Sequence, residues 1–125
     1  MSETKREKGL RLMEDVCGIA IDPGNTSRFL ELTVDNLFAD VWGNESLAIR
    51  DRRLVVLGIL AAMGDGSNLG VHMTQALSRG DLSPEELEEI PVQVAHYAGW
   101  PRATTALGAA AQAIATHREK SDEAE

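Results

Sequence analysis

"GDLSPEELEEI", residues 80–90 of the 125-residue chain, is the stretch from which the fold can be read outward. Ser83 is a good N-cap, Pro84 takes the first helical position, where a missing N–H costs nothing, and Glu86 completes a capping box. A helix therefore starts at Pro84. Leu87, Ile90, Val94 and Tyr97 follow at three- and four-residue spacing and predict its buried face, while Glu86, Glu89, Gln93 and His96 form a polar stripe. Pro91 removes a hydrogen bond to Leu87 and clashes with that carbonyl, at an expected ~3 kcal/mol in a straight helix, which predicts a kink. Gly99 closes the helix, and "PRATTALGAAAQAIATH" from Pro101 makes a final helix of small residues.

Upstream the same reasoning gives more helices and no convincing strand. Leu10, Met13 and Cys17 predict a first helix from about Thr4 to Gly18, ended by the turn signals Pro23 and Gly24 in "IDPGN". "TSRFLELTVDNLFADVWG" presents Phe29, Leu30, Val34, Leu37, Phe38, Val41 and Trp42 as one broad apolar stripe, closed by Gly43. A third helix begins near Leu47 and carries "IRDRRLVVLGILAAM", with its charges at one end and an apolar remainder that belongs in the middle of a fold. "GDGSN" breaks it, and Asp65 or Ser67 can cap the next helix, whose buried side holds Leu69, Met73, Ala76 and Leu77 with His72 at the border. The first eight residues and "THREKSDEAE" read as charged, loose ends. The fold class is all-α, a bundle of about six helices forming one domain over residues 1–125, with its core at about 26–118.

Composition narrows the function. A net charge of -8 disfavours binding to nucleic-acid backbones, which draws on clustered Lys and Arg. The lone Cys17 excludes an intrachain disulfide and a CxxC pair, and fits a reducing cytosol. The polar N-terminus has no apolar export region, and the run Leu54 to Gly64 is shorter than the roughly 20 residues of a membrane helix, so a cytoplasmic protein without membrane contact is expected. "GDGSNLG" lacks the preceding strand and the lysine of a nucleotide loop, and His72, His96 and His117 lack metal-ligand spacing. No cofactor and no metal are expected.

The remaining candidates are acid–base and anion-binding groups. His72 and His96 can carry protons near neutrality, or be a border histidine on a helix end and a solvated or interface residue. Glu89 and Gln93 line one helix side with His96 and can receive a polar ligand, or face solvent. Arg50, Arg52 and Arg53 stand out in an acidic chain, because a guanidinium holds a carboxylate bidentately; the alternative is ion pairing with Asp51, Glu45 or another subunit. Position gives Arg50 the edge, since it lies on the same helical side as Arg53 and Leu54. Tyr97 and Trp100 offer core or subunit contacts, and Tyr97 a hydroxyl.

With these pieces placed, "LFADVWGNESLAIRDRRLVVLGILAAMG", "VHMTQALSRGDLSPEELEEI" and "VAHYAGWPRATTALGAA" resemble the carboxymuconolactone decarboxylase family, whose all-helical fold is shared with the AhpD-like alkylhydroperoxidases. The likeness spans roughly Leu32 to Ala115. His72 matches the histidine of both branches, Glu86 and Glu89 the acidic pair of the next helix, and Tyr97, Gly99 and Pro101 the "Y-G-P" signature. The peroxidase branch carries a CxxC pair where this chain has Asp65 and Asn68, neither of which can act as a thiolate, and a proton-relaying glutamate where it has Arg53. The resemblance thus implies the decarboxylase branch: a cofactor-independent carboxy-lyase of aromatic catabolism acting on a small carboxylated lactone or related acid. His72 and His96 would be catalytic, and Arg50, Arg53, Glu89, Gln93 and Tyr97 would bind substrate. It also implies a homo-oligomer, a trimer or hexamer. The alternatives are a non-catalytic ligand-binding or assembly protein of the same fold and an AhpD-like peroxidase served by an outside thiol.

Overall fold

The computed structural model describes residues 2–24 and 26–124. Asn25, in the turn expected at "IDPGN", and Met1 and Glu125, in the expected loose ends, lie outside them. The contacts divide into two compact units, residues 1–49 and 50–125. The described residues form helices and no strand, as the all-α reading requires.

In the first unit, α1 (Lys5–Cys17) begins where Thr4 accepts the Glu7 N–H at 3.1 Å. It ends at Gly18, whose left-handed φ of 70° is cheap only without a Cβ. α2 opens as a short α-helical turn, Arg28–Glu31, capped by Ser27, and runs on as a π-helical stretch, Leu32–Trp42. This corrects the single regular apolar stripe read from the sequence. Val34, Phe38, Ala39 and Trp42 are buried, while Phe29, Leu37 and Val41 are exposed, because the wider π turn rotates residues out of a 3.6-residue register. α1 packs on this stretch with Leu12, Met13 and Val16 buried, and Gly9 leaves room for the Val34 backbone.

The second unit contains α3 (Ile49–Met63) from Arg50 onward, α4 (Gly66–Arg79), α5 (Pro84–Ala98) and α6 (Trp100–Ala124). α6 packs against both α4 and α5. It can do so because Ala103, Ala106, Ala110 and Ala113, spaced three and four apart, turn a low-relief face to Leu69, Met73, Leu87 and Val94 in one core. Leu57 and Ala61 bring α3 into that core. The capping box at Ser83 forms as expected, with Ser83 accepting the Glu86 N–H at 3.1 Å and Glu86 accepting the Ser83 N–H at 3.0 Å. α5 is continuous across Pro91, which is itself buried.

Two expectations fail here. Tyr97 is 85 % exposed and does not belong to the buried face of α5. At about 100° per residue, burial centred on Leu87, Pro91, Val94 and Ala95 leaves position 97 roughly a quarter-turn or more to one side. The charged segment from Thr116, expected to fray, instead continues α6 to Ala124, since an alanine-rich helix propagates cheaply once nucleated.

Candidate functional site

The charged first turns of α3 place Arg53 where the apolar run begins, and its side chain is completely buried. An unpaired guanidinium there would cost several kcal/mol of desolvation, so it must be met by acceptors. Two arrive from elsewhere in the same unit. Arg53 Nε and Nη2 donate to Asp81 Oδ2 at 3.2 and 3.1 Å, while Nη1 lies 3.2 Å from His72 Nδ1 and donates to the His72 carbonyl at 3.4 Å.

Local structure fixes both partners. α4 holds His72 beside its buried face, next to Met73, which is fully buried. Asp81 follows Gly80, the left-handed cap of α4, whose N–H bonds to the Leu77 carbonyl while the Asp81 N–H bonds to that of Ala76 at 2.9 Å. Buried Leu82 pins the other side of the turn. The carboxylate is therefore aimed by a short, fully bonded loop.

The geometry determines the state of His72. A guanidinium has donors only and stays charged, so Nδ1 must accept, and the proton of the neutral ring sits on Nε2. Burial, and secondarily the Arg53 charge, push the His72 imidazole down from 6.5 to about 4. At neutral pH His72 is a neutral ring with its proton on Nε2.

The other predicted residues occupy different settings. Arg50 is exposed, ion-pairs with Glu86, and lies 3.7 Å from Asp51. The Glu86 carboxyl is held below the usual carboxylate range, first by the Ser83 N–H and then by Arg50. Glu89 is exposed. Gln93 and Tyr97 line a shallow depression with Gly58, Ala62, Val94 and Ala98, whereas His96 faces another groove, against Trp100. The polar stripe expected on α5 is thus split among a cap, a depression and a groove.

Asp65 and Asn68 form a helix start. Asp65 accepts the Asn68 backbone N–H at 3.1 Å and its amide at 2.7 Å, and these bonds, the amide's first, lower the Asp65 carboxyl below its ordinary range. Among the described residues no group of three or more His, Cys, Asp or Glu side chains is arranged to hold a metal ion, and no helix is long and apolar enough to cross a membrane. Asp81 is the site residue that sequence reasoning missed. The available signal was Arg53 itself, since an arginine at the mouth of an apolar run must find a carboxylate.

A model of the carboxymuconolactone decarboxylase family matches residues 27–112, well over half of the chain and inclusive of Arg53, His72, Asp81 and His96. Neither a curated protein nor a solved structure matches it.

Proposed function

The chain belongs to the carboxymuconolactone decarboxylase family, and from that premise we propose a cofactor-independent decarboxylation of a small carboxylated lactone or related organic acid, with His72 meeting the substrate. The observation that carries this reading is the completely buried Arg53 guanidinium 3.2 Å from His72 Nδ1. When the C–C bond to the departing carboxylate breaks, its electron pair moves into the adjacent carbonyl and leaves an enolate oxygen. The His72 Nε2–H, fixed before the reaction begins, stabilises that oxygen as charge grows on it. A neutral histidine can serve as such an electrophile, and the cation behind Nδ1 polarises the ring further. Carbon dioxide leaves, the enolate collapses back to the carbonyl, and the carbon takes a proton from water.

His72 is thereby a donor rather than a proton carrier. With its imidazole pushed down to about 4, first by burial and then by the Arg53 charge, the ring is neutral at pH 7. Arg53 is a positioning residue, since its Nε, Nη1 and Nη2 are engaged by Asp81 and His72. Arg50 is the guanidinium that can exchange an exposed partner, Glu86, for a substrate carboxylate.

The homo-oligomer implied by the family is supported by Val55, Ile59 and Met63, exposed at four-residue spacing along α3, and by exposed Leu107 on α6. The helix-capping role of Asp65 and Asn68 supports no peroxidase chemistry. The test is carbon dioxide release from muconolactone-type carboxylates. His72→Phe should lower turnover about 10²–10³-fold, the cost of losing one oxyanion donor. Full turnover by His72→Phe would end the proposal, and absence of turnover by the unaltered protein across such acids would leave the non-catalytic assembly reading.

A further inference from the structure

α4 and α6 run in the same direction: Gly66 abuts Thr105 near their starts, and further along Thr74 and Ser78 of α4 share a pocket of about 230 Å³ with Thr116, His117, Lys120 and Ser121 of α6. Thr74, Thr116 and His117 are half-buried, and Ser78, Lys120 and Ser121 stand exposed at the rim. At 1.5 Å per residue these groups span only about 6 Å along α4 and about 8 Å along α6, so they converge on one small volume.

Their donors are not spent inside the fold. A helical Ser or Thr often turns its hydroxyl back to the carbonyl four residues earlier, as Thr33 does to Phe29 at 2.8 Å and Thr104 to Trp100 at 2.9 Å. Among the described residues the Thr74, Ser78 and Ser121 hydroxyls make no such bond, and Thr116 Oγ1 accepts from the Gln112 amide at 3.4 Å and keeps its own hydrogen. Lys120 adds three N–H donors and no acceptor, and the His117 ring keeps at least one N–H in any tautomer. No carboxylate lines the pocket. At about 100° per residue Glu119 and Asp122 lie away from this side of α6, and Glu123 about a quarter-turn aside. The C-terminal end of the α4 dipole and the net charge of -8 both oppose an anion; Arg79 in the last turn of α4 offsets the first, and the local donors must outweigh the second.

We propose that this pocket is a second ligand site, taking a small phosphate through Lys120 and the hydroxyls of both helices. Donors reach it from two walls rather than from one plane, which suits a tetrahedral oxyanion better than the flat carboxylate that a guanidinium fork takes. None of its residues belongs to the Arg53–His72–Asp81 cluster, and the site stands whether or not the chain decarboxylates anything.

The test titrates the full-length protein at neutral pH and constant ionic strength with inorganic phosphate, glycerol 3-phosphate and glycerol, following backbone amide signals by NMR. Both phosphates should shift the signals of Thr74, Ser78 and residues 116–121 saturably, and glycerol should not. Tighter binding of glycerol 3-phosphate would place the anion on a larger molecule, and the reverse order would make it the free ion; either supports the site. Lys120→Gln should weaken phosphate about tenfold or more, the loss of a charged donor, and Thr74→Val about fivefold, the loss of a neutral one. Arg118→Gln removes the same charge two residues away, outside the pocket, and should leave binding within about twofold. Equal losses in Lys120→Gln and Arg118→Gln would reduce the effect to net charge and overturn the proposal. Glycerol binding as tightly as phosphate would also overturn it, as would signals that do not move, including the case in which a second copy covers the pocket.

Discussion

Removing either partner of the Arg53–Asp81 pair should be costly, but by unequal amounts. Truncating one member of a buried ion pair typically costs about 3–5 kcal/mol, because the survivor keeps a charge without a partner. In Asp81→Ala the survivor is Arg53, which has no solvent contact, so the upper part of that range applies, relieved in part by what the His72 carbonyl and ring can accept. In Arg53→Met the survivor is Asp81, whose side chain is 21 % exposed and can rehydrate, and the methionine keeps most of the packing. About 1–2 kcal/mol is expected there, a surface-screened remainder. Urea unfolding of the two variants measures the order directly. Imidazole NMR reads the second consequence: in Arg53→Met the His72 pKa should rise above about 4 yet stay below 6.5, because burial, the larger cause, remains. An Arg53→Met protein less stable than Asp81→Ala, or a His72 that titrates near 6.5 in the unaltered protein, would refute the reasoning.

The same shift predicts how stability follows pH. His72 binds a proton less readily folded than unfolded, so its contribution is fully present above 6.5 and is lost as pH falls toward 4; the loss, at most about 3 kcal/mol, is nearer ~1–2 after screening of a ring that keeps some solvent contact. His72→Phe should flatten that part of the pH–stability curve in chemical denaturation. Ser83→Ala removes the cap of α5 and should cost about 1 kcal/mol by thermal unfolding, with no change marking the box as idle. Gly9→Ala would put a Cβ 2.7 Å from Val34 Cγ1 and closer still to the Val34 carbonyl, so α1 must shift; about 1–3 kcal/mol is expected, and an unchanged melting point would show that α1 and α2 pack more loosely.

What could be read from the sequence was local. Thr4, Asp65 and Ser83 cap helices through N–H groups three residues away, so those three starts are visible without knowing the fold. The alanines of α6 likewise announce a helix of small residues, though not which of them pack. The π stretch of α2 was invisible, because apolar spacing is read against a 3.6-residue turn and "ELTVDNLFADVW" satisfies that pattern well enough. Tyr97 was misplaced for a related reason: Pro91 and Ala95, weak signals in hydrophobicity, set the phase of α5. In the candidate site, His72 and Arg53 could be nominated by residue type, but their pairing joins positions 19 residues apart and Asp81 adds a span of 28. No periodicity links such residues. Only the turn after Gly80 brings the carboxylate to the guanidinium.

That pairing changes what position 53 means. The resemblance places a proton-relaying glutamate there in the peroxidase branch. A carboxylate beside Nδ1 would take that nitrogen's proton as a hydrogen bond and leave Nε2 with a lone pair, which makes the histidine a base. Arg53 donates instead, which leaves Nε2 with the proton and makes the ring a donor. The chain contains both arrangements at Nδ1, for His96 gives its Nδ1 proton to the Val92 carbonyl. The group facing Nδ1 therefore decides the chemistry of each histidine. At position 72 that choice suits a substrate that develops negative charge on oxygen and argues against one that must surrender a proton to the enzyme, which favours loss of carbon dioxide over thiol-driven peroxide reduction.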